Sequence, residues 1–178
     1  MIHANAIKII IAGEGGVGKT SLVQRYIYDE FTNTKMTIGV SFASKDVILD
    51  GQSYKLSLWD LAGESNFRFV LGRFCVGASG AILVFDMSRI VSLYALHEWT
   101  ELITKTAGTI PFILVGNKCD LMQQDDTEPI QPEIETFQET FSIKEYFETS
   151  AKDDINVDTV FESILKYVKV VPKPSKIV

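Results

Sequence analysis

The feature that most restricts this chain is the octapeptide Gly13-Glu14-Gly15-Gly16-Val17-Gly18-Lys19-Thr20, which fits the pattern G-x-x-x-x-G-K-[ST]. It lies between a β-branched run, Ile7 to Ala12, and a stretch in which Leu22, Val23, Tyr26 and Ile27 recur at helical spacing. Strand, glycine turn and helix in that order are the context the pattern requires. Glycines let the backbone curl so that successive N–H groups face inward toward phosphate oxygens, and the helix N-terminus adds partial positive charge. Lys19 is then placed to neutralise β and γ phosphates, and the Thr20 hydroxyl to ligate Mg²⁺. With glycine at about 7% of residues, the four matched positions arise by accident on the order of once in a hundred chains of this length.

The rest of the chain alternates strand and helix signals. Val40 to Leu49 and Ser53 to Asp60 read as two strands of a hairpin joined at Asp50-Gly51, a dipeptide that favours tight turns. Gly80 to Phe85 and Phe112 to Gly116 are short apolar runs separated by a helical stretch from about Leu93 to Lys105, the spacing of a crossover between parallel strands. Tyr146 to Thr149 reads as a last short strand. Val157, Val160, Phe161, Ile164, Leu165 and Val168 then form a helical stripe, with Asn156 as its N-cap. Such alternation predicts a three-layer α/β sandwich around a mostly parallel sheet.

Two further segments carry chemistry. Asn117-Lys118-Cys119-Asp120 follows an apolar run, and a carboxylate at Asp120 can accept two hydrogen bonds from the ring N–H and exocyclic amine of guanine. Adenine offers no such pair of donors. Trp59-Asp60-Leu61-Ala62-Gly63 ends the second hairpin strand. There Asp60 is positioned to hold Mg²⁺ through water, and Gly63 to offer a backbone N–H to a γ-phosphate.

With these three motifs in order, the chain resembles the Ras superfamily of small GTPases, most closely its Rab-like branch. The resemblance runs from the first strand to the terminal helix. It implies a P-loop NTPase G domain over residues 1–171, with a six-stranded sheet containing one antiparallel strand and helices on both faces, followed by a short basic tail, 172–178. By the same similarity Thr37-Ile38-Gly39-Val40 is switch I, with Thr37 completing the Mg²⁺ shell, and Glu148-Thr149-Ser150-Ala151-Lys152 is a second base-binding loop. The nucleotide contacts implied are Gly15, Gly16, Val17, Gly18, Lys19, Thr20, Ser21, Phe31, Asn117, Lys118, Asp120, Ser150, Ala151 and Lys152. Lys19, Thr37, Gly63 and Glu64 would serve hydrolysis, and Phe42, Trp59 and Phe74 would form an effector surface. The cofactor is Mg²⁺, with GTP or GDP as bound nucleotide. The expected partners are an exchange factor, a GTPase-activating protein and effectors, acting on a monomer that serves signalling or vesicle traffic.

The pattern departs from the family in three places. After Gly63 stands Glu64, where relatives usually carry a glutamine that orients the attacking water. A carboxylate there adds repulsion and loses an amide donor, which predicts slow intrinsic hydrolysis or, as the alternative, a module locked on its nucleotide. The loop between Phe31 and Thr37 has no tyrosine and is about one residue short. The stretch from Lys166 to Val178 has four lysines and two prolines but no cysteine for a lipid anchor.

Composition excludes several other classes. With 17 Lys and Arg against 23 Asp and Glu, the net charge of −6 gives no general hold on nucleic acid. The apolar runs Ala81 to Phe85 and Pro111 to Val115 fall far short of the roughly 20 residues that cross a bilayer. Two isolated cysteines, Cys75 and Cys119, read as free thiols, consistent with a cytoplasmic protein that meets membranes through partners. His3 and His97 have no partner at ligand spacing. An adenine-dependent small-molecule kinase is disfavoured by Asp120 and by the lack of an arginine-rich lid.

Overall fold

A computed structural model describes residues 6–32, 35–64, 68–123 and 130–169. The tail from 170 onward, and with it the expected boundary at 171, lies outside the described residues, as does His3.

Strand β1 (Ala6–Ala12) leads through the glycine loop into helix α1 (Lys19–Tyr28). Strands β2 (Val40–Leu49) and β3 (Gln52–Leu61) form the expected antiparallel hairpin, in register from Val40 opposite Leu61 to Leu49 opposite Gln52. Asp50 and Gly51 both take positive φ, 49° and 75°. That pair of left-handed residues is what a two-residue turn matched to strand twist demands.

After β3 come a short helix α2 (Arg68–Leu71), a 3₁₀ turn (Gly72–Cys75) and strand β4 (Gly80–Asp86). The crossover helix is split at Ala95 into α3 (Val91–Tyr94) and α4 (Leu96–Ala107). Strand β5 (Phe112–Asn117), a 3₁₀ turn (Cys119–Leu121), helix α5 (Gln131–Phe141), strand β6 (Glu145–Thr149) and helix α6 (Val157–Tyr167) complete the fold. The strand order is β2-β3-β1-β4-β5-β6, parallel throughout except for β2.

Alternation along β1 divides the core in two. Ile7, Ile9 and Ile11 pack with Leu22, Val23, Tyr26, Phe161 and Ile164 from α1 and α6. Ile10 and Ala12 face Leu96, Trp99 and Ile103 of α4 and Ile134 and Phe137 of α5. Strand β4 is buried at every residue, as a central strand covered on both faces must be.

Two local readings change. Helix α5 is absent from the sequence reading, although Ile134 and Phe137 are buried and Pro132 stands in its first turn. Asn156 does occupy the N-cap position of α6, but its side chain makes no cap hydrogen bond. It sits in the left-handed region at φ 56° and donates Nδ2 to the Glu148 carbonyl at 2.9 Å, fastening the loop after β6 instead. His97 is packed edge-on against Phe137 and Phe141. Cys75 and Cys119 are free thiols, and no helix among the described residues is long and apolar enough to cross a membrane.

Candidate functional site

Register sets the site. Parallel pairing places Asp60 beside Ile11 at the end of β1, and Asn117 between Asp86 and Thr149 at the ends of β4 and β6. The groups singled out in sequence therefore collect at the carboxyl edge of the sheet, where open α/β folds take their ligands. A cleft of about 560 Å³ lies there. It is lined by Gly15, Gly16, Gly18, Lys19, Thr20, Ser21, Phe31, Thr37, Gly63, Glu64, Asn117, Lys118, Asp120, Ala151 and Lys152 among the expected residues. Lys35, Met36 and Leu121 line it too, and the sequence reading did not name them.

At the phosphate end, Lys19 is only 6% exposed, and its Nζ donates to the carbonyls of Gly13 and Glu14, each at 2.8 Å. Burial pushes the ammonium down to about 8, against the pull of Asp60 and Glu14, which favour the charged form. The Thr20 hydroxyl donates to Asp60 Oδ2 at 2.5 Å and lies 2.8 Å from the Thr37 hydroxyl. Thr37 donates to the same Asp60 oxygen at 3.5 Å. Three oxygens from α1, switch I and β3 thus meet at one point.

Asp60 is 2% exposed, and its other oxygen, Oδ1, has no hydrogen-bond partner among the described residues. Burial drives its carboxyl above the ordinary value despite the Thr20 bond and the Lys19 charge. A buried carboxylate oxygen without a partner is costly alone and fits a cation well. No three His, Cys, Asp or Glu cluster as a cage among the described residues. Hydroxyls and one carboxylate instead suit a hard ion that keeps water and phosphate as its remaining ligands, as Mg²⁺ does.

At the other end, Asn117 Nδ2 donates to the Val17 carbonyl at 2.9 Å, and Thr149 donates to Asn117 Oδ1 at 3.0 Å. These bonds lock the phosphate loop to β5 and β6. A Cβ on Gly18, which has φ 96°, would collide with the Asn117 amide. Lys118 reaches the Gly16 carbonyl at 2.7 Å and Asp86 Oδ2 at 2.7 Å. Burial alone would raise the Asp86 carboxyl, but hydrogen bonds from Lys118 and Ser88 prevail and hold it below its ordinary value. Ser150 donates to Asp120 Oδ1 at 2.6 Å and accepts the Asp153 N–H at 3.0 Å, which orients the carboxylate.

Two of the expected nucleotide residues do not line the cleft. The Val17 side chain is fully buried in the core, and Ser150 is buried behind Asp120. Sequence reasoning also missed residues that support the site. Arg25 donates Nε to the Ala151 carbonyl at 3.0 Å and Nη2 to the Lys152 carbonyl at 3.1 Å, joining α1 to the second base loop. Its place on α1, 126 positions before Ala151, carries no motif, so only the fold reveals it. Asp86 and Thr149, by contrast, sit at strand ends directly beside Asn117, a position that strand pairing could have flagged.

Away from the cleft, Phe42, Trp59 and Phe74 come together from β2, β3 and the 3₁₀ turn. The Phe42 and Trp59 rings meet edge-on at 4.5 Å, and Trp59 lies 6.1 Å from Phe74. Phe42 is 58% and Phe74 36% exposed, so this is a surface patch rather than core. The Lys8 ammonium sits 3.6 Å from the Trp59 ring centre and donates to the Val76 carbonyl at 2.9 Å, securing the tryptophan from beneath.

Comparison with known proteins places the chain in a family. The model of the Ras family matches residues 8–170. Ras-related protein RABA5c of Arabidopsis thaliana is 38% identical over 168 residues, 90% of this chain and 75% of the relative. The Ypt/Rab-type GTPase ypt7 of Schizosaccharomyces pombe is 38% identical over 166 residues, 90% of this chain and 80% of the relative. Human Ras-related protein Rab-25 is 37% identical, again over 90% of this chain and 75% of its own length. The family model covers nearly the whole chain and relatives of 37–38% identity match it over about nine-tenths of its length: it belongs to the Ras family, as a small GTPase of the Rab-like branch.

Proposed function

We propose that the chain is a molecular switch that binds GTP with Mg²⁺, hydrolyses it to GDP and phosphate, and is read by protein effectors while the triphosphate is bound. The observation that carries this reading is the single cleft in which Lys19, Thr20 and Gly15 face Asp120 and Lys152. Its two ends match the two ends of a guanine nucleotide.

Lys19 exchanges its two loop carbonyls for phosphate oxygens, while the N–H groups of the glycine loop take up the charge that develops in transfer. Thr20, Thr37 and Asp60 would hold Mg²⁺, which when bound neutralises charge shared between the β and γ phosphates. Water attacks the γ-phosphorus in line, the bond to the β-phosphate oxygen breaks, and inorganic phosphate leaves. Asp120 selects guanine, Lys118, Ala151 and Lys152 flank the base, and Phe31, half-exposed at the cleft wall, covers base and ribose. Once the γ-phosphate has gone, Thr37 and Gly63 lose their hold and both switch loops relax. The Phe42, Trp59 and Phe74 patch lies where effectors read that change. Exchange factors and GTPase-activating proteins act on the monomer, which reaches membranes through partners.

A second reading, a module that keeps GTP with very slow turnover, is favoured by one observation. Glu64 is exposed and lines the cleft, so an acceptor-only carboxylate occupies the place of a water-orienting amide. Nucleotide released by denaturing the purified protein, followed by single-turnover GTP hydrolysis over hours, separates the two. Competition of ATP against GTP tests the base. Retained guanine nucleotide that converts to GDP supports the switch; equal competition by ATP overturns both readings.

A further inference from the structure

We infer that Arg89 is a positioning residue for nucleotide binding, which neutralises the Glu14 carboxylate on the phosphate loop. The inference rests on the nucleotide site proposed above and names a part of its machinery that no motif contains.

Glu14 brings a negative charge into a loop whose task is to receive phosphate. It directly precedes Gly15, which lines the cleft, and Glu64 lines the same cleft. With Glu14 unpaired, phosphate would meet a carboxylate on the loop as well as one at the mouth. Arg89 comes from the turn after β4, and its Nη2 donates to Glu14 Oε2 at 3.2 Å and to the Gly15 carbonyl at 3.3 Å. Its Nε lies 3.8 Å from Asp86 Oδ2. One guanidinium therefore touches the phosphate loop at two consecutive residues while leaning on the carboxylate that also pairs with Lys118.

The backbone of Arg89 is held as well as its side chain. The Arg89 N–H donates to the Asp86 carbonyl at 2.9 Å, and the Arg89 carbonyl accepts Ser92 Oγ at 2.6 Å. The Arg89 and Glu14 side chains are 46% and 37% exposed. In so wet a place the pair itself adds little to folding. A charge on the loop that receives phosphate is felt in binding, and salt should screen it.

Release of a fluorescent GDP analogue into excess GDP, with Mg²⁺ present, tests this at 50 mM and 500 mM KCl. Arg89→Ala should release nucleotide about five- to tenfold faster at low salt and about twofold faster at high salt. Adding Glu14→Gln to Arg89→Ala should bring release back to within about twofold of wild type, because the charge to be neutralised is gone. Glu14→Gln alone should slow release, since it removes a negative charge from the loop and leaves Arg89 beside it, and this variant stays informative if Arg89→Ala melts early. Release from Arg89→Ala at the wild-type rate, acceleration that survives in the double variant, or acceleration equal at both salts would overturn the inference. A wild-type chain that takes up no GDP analogue would instead overturn the site on which it rests.

Discussion

Gly63 lies so close to Gly15 that a single methyl group on Gly63 would strike the Gly15 amide nitrogen and the Glu14 carbonyl carbon. The end of β3 and the phosphate loop thus touch backbone to backbone, and a change in one must be felt by the other. Gly63→Ala should prise them apart and take the Gly63 N–H away from a γ-phosphate. The affinity for a non-hydrolysable GTP analogue should fall about 10- to 100-fold, the worth of one or two charge-assisted hydrogen bonds, with a smaller loss for GDP. Titration of both nucleotides by calorimetry checks the difference, and equal losses would count against a role for Gly63 at the γ-phosphate.

Asp60 makes a prediction of the opposite kind for stability and for binding. Its buried carboxyl is raised above the ordinary value and leaves Oδ1 unpaired, so without ligand the charge opposes folding. Asp60→Asn should leave the melting temperature of the nucleotide-free protein unchanged or higher. The same substitution should remove the effect of chelation: EDTA should speed GDP release at least about tenfold in wild type but hardly at all in the variant. A variant that still responds fully to EDTA would place the Mg²⁺ ligands elsewhere.

Those two glycines and that carboxylate show what the sequence could and could not tell. Gly13 to Thr20 and Asn117 to Asp120 stand out in the sequence because each is a few adjacent residues of fixed types, and the structure brings both segments to one cleft. The hairpin was legible from Asp50-Gly51 and from strand alternation in β3. What escaped depends on contacts between distant segments. Arg25 meets Ala151 across 126 positions and Arg89 meets Glu14 across 75, and no spacing rule links them. Helix α5 was missed because only Ile134, Phe137 and Phe141 mark its inner face, too few for its period to stand out. Asn156 looked like a cap because position and residue type agreed, yet its left-handed backbone turns the amide toward β6.

Base selection should follow Asp120. A carboxylate accepts from both the ring N–H and the amine of guanine, whereas an asparagine amide offers one donor and suits a base with a carbonyl in place of the amine. Asp120→Asn should weaken GDP binding about 100-fold or more, because one charged hydrogen bond becomes neutral and the other gives way to two N–H groups facing each other, and it should improve binding of xanthosine diphosphate. Competition between the two diphosphates measures the exchange of preference. The Ser150 hydroxyl, 2.6 Å from Asp120 Oδ1, should make Ser150→Ala a milder version of the same loss without the exchange.

Glu64 should limit the rate of hydrolysis. Exposed at the cleft, it offers no donor to a water and adds negative charge where phosphate charge accumulates. Glu64→Gln restores an amide of the same length and should raise single-turnover hydrolysis about 100-fold, the low end of the range for one positioned group. Nucleotide affinity should change little, which separates a kinetic role from a general one. An unchanged hydrolysis rate would mean that Glu64 is a solvated side chain without kinetic consequence.

Lys19 gives the pH dependence its sign. Burial lowers its ammonium from 10.5 to about 8 in the folded chain. Below pH 8 both folded and unfolded chains carry the proton, and the full burial penalty applies. Between about 8 and 10.5 the unfolded chain keeps the proton that the folded chain has released, so this residue makes the nucleotide-free protein more stable as pH rises through that window. Cys75, pushed up to about 11 by burial, acts against that gain above pH 9, where an unfolded thiol ionises first. Binding is the cleaner measure, because phosphate requires the charged lysine. GDP affinity should be flat up to about pH 8 and then fall by up to tenfold per pH unit, one proton being taken up with each nucleotide. Calorimetry at pH 9 in two buffers of different ionisation enthalpy counts that proton directly. Lys19→Met should abolish both the proton uptake and the slope, and a slope that persists in that variant would assign the titration to another group.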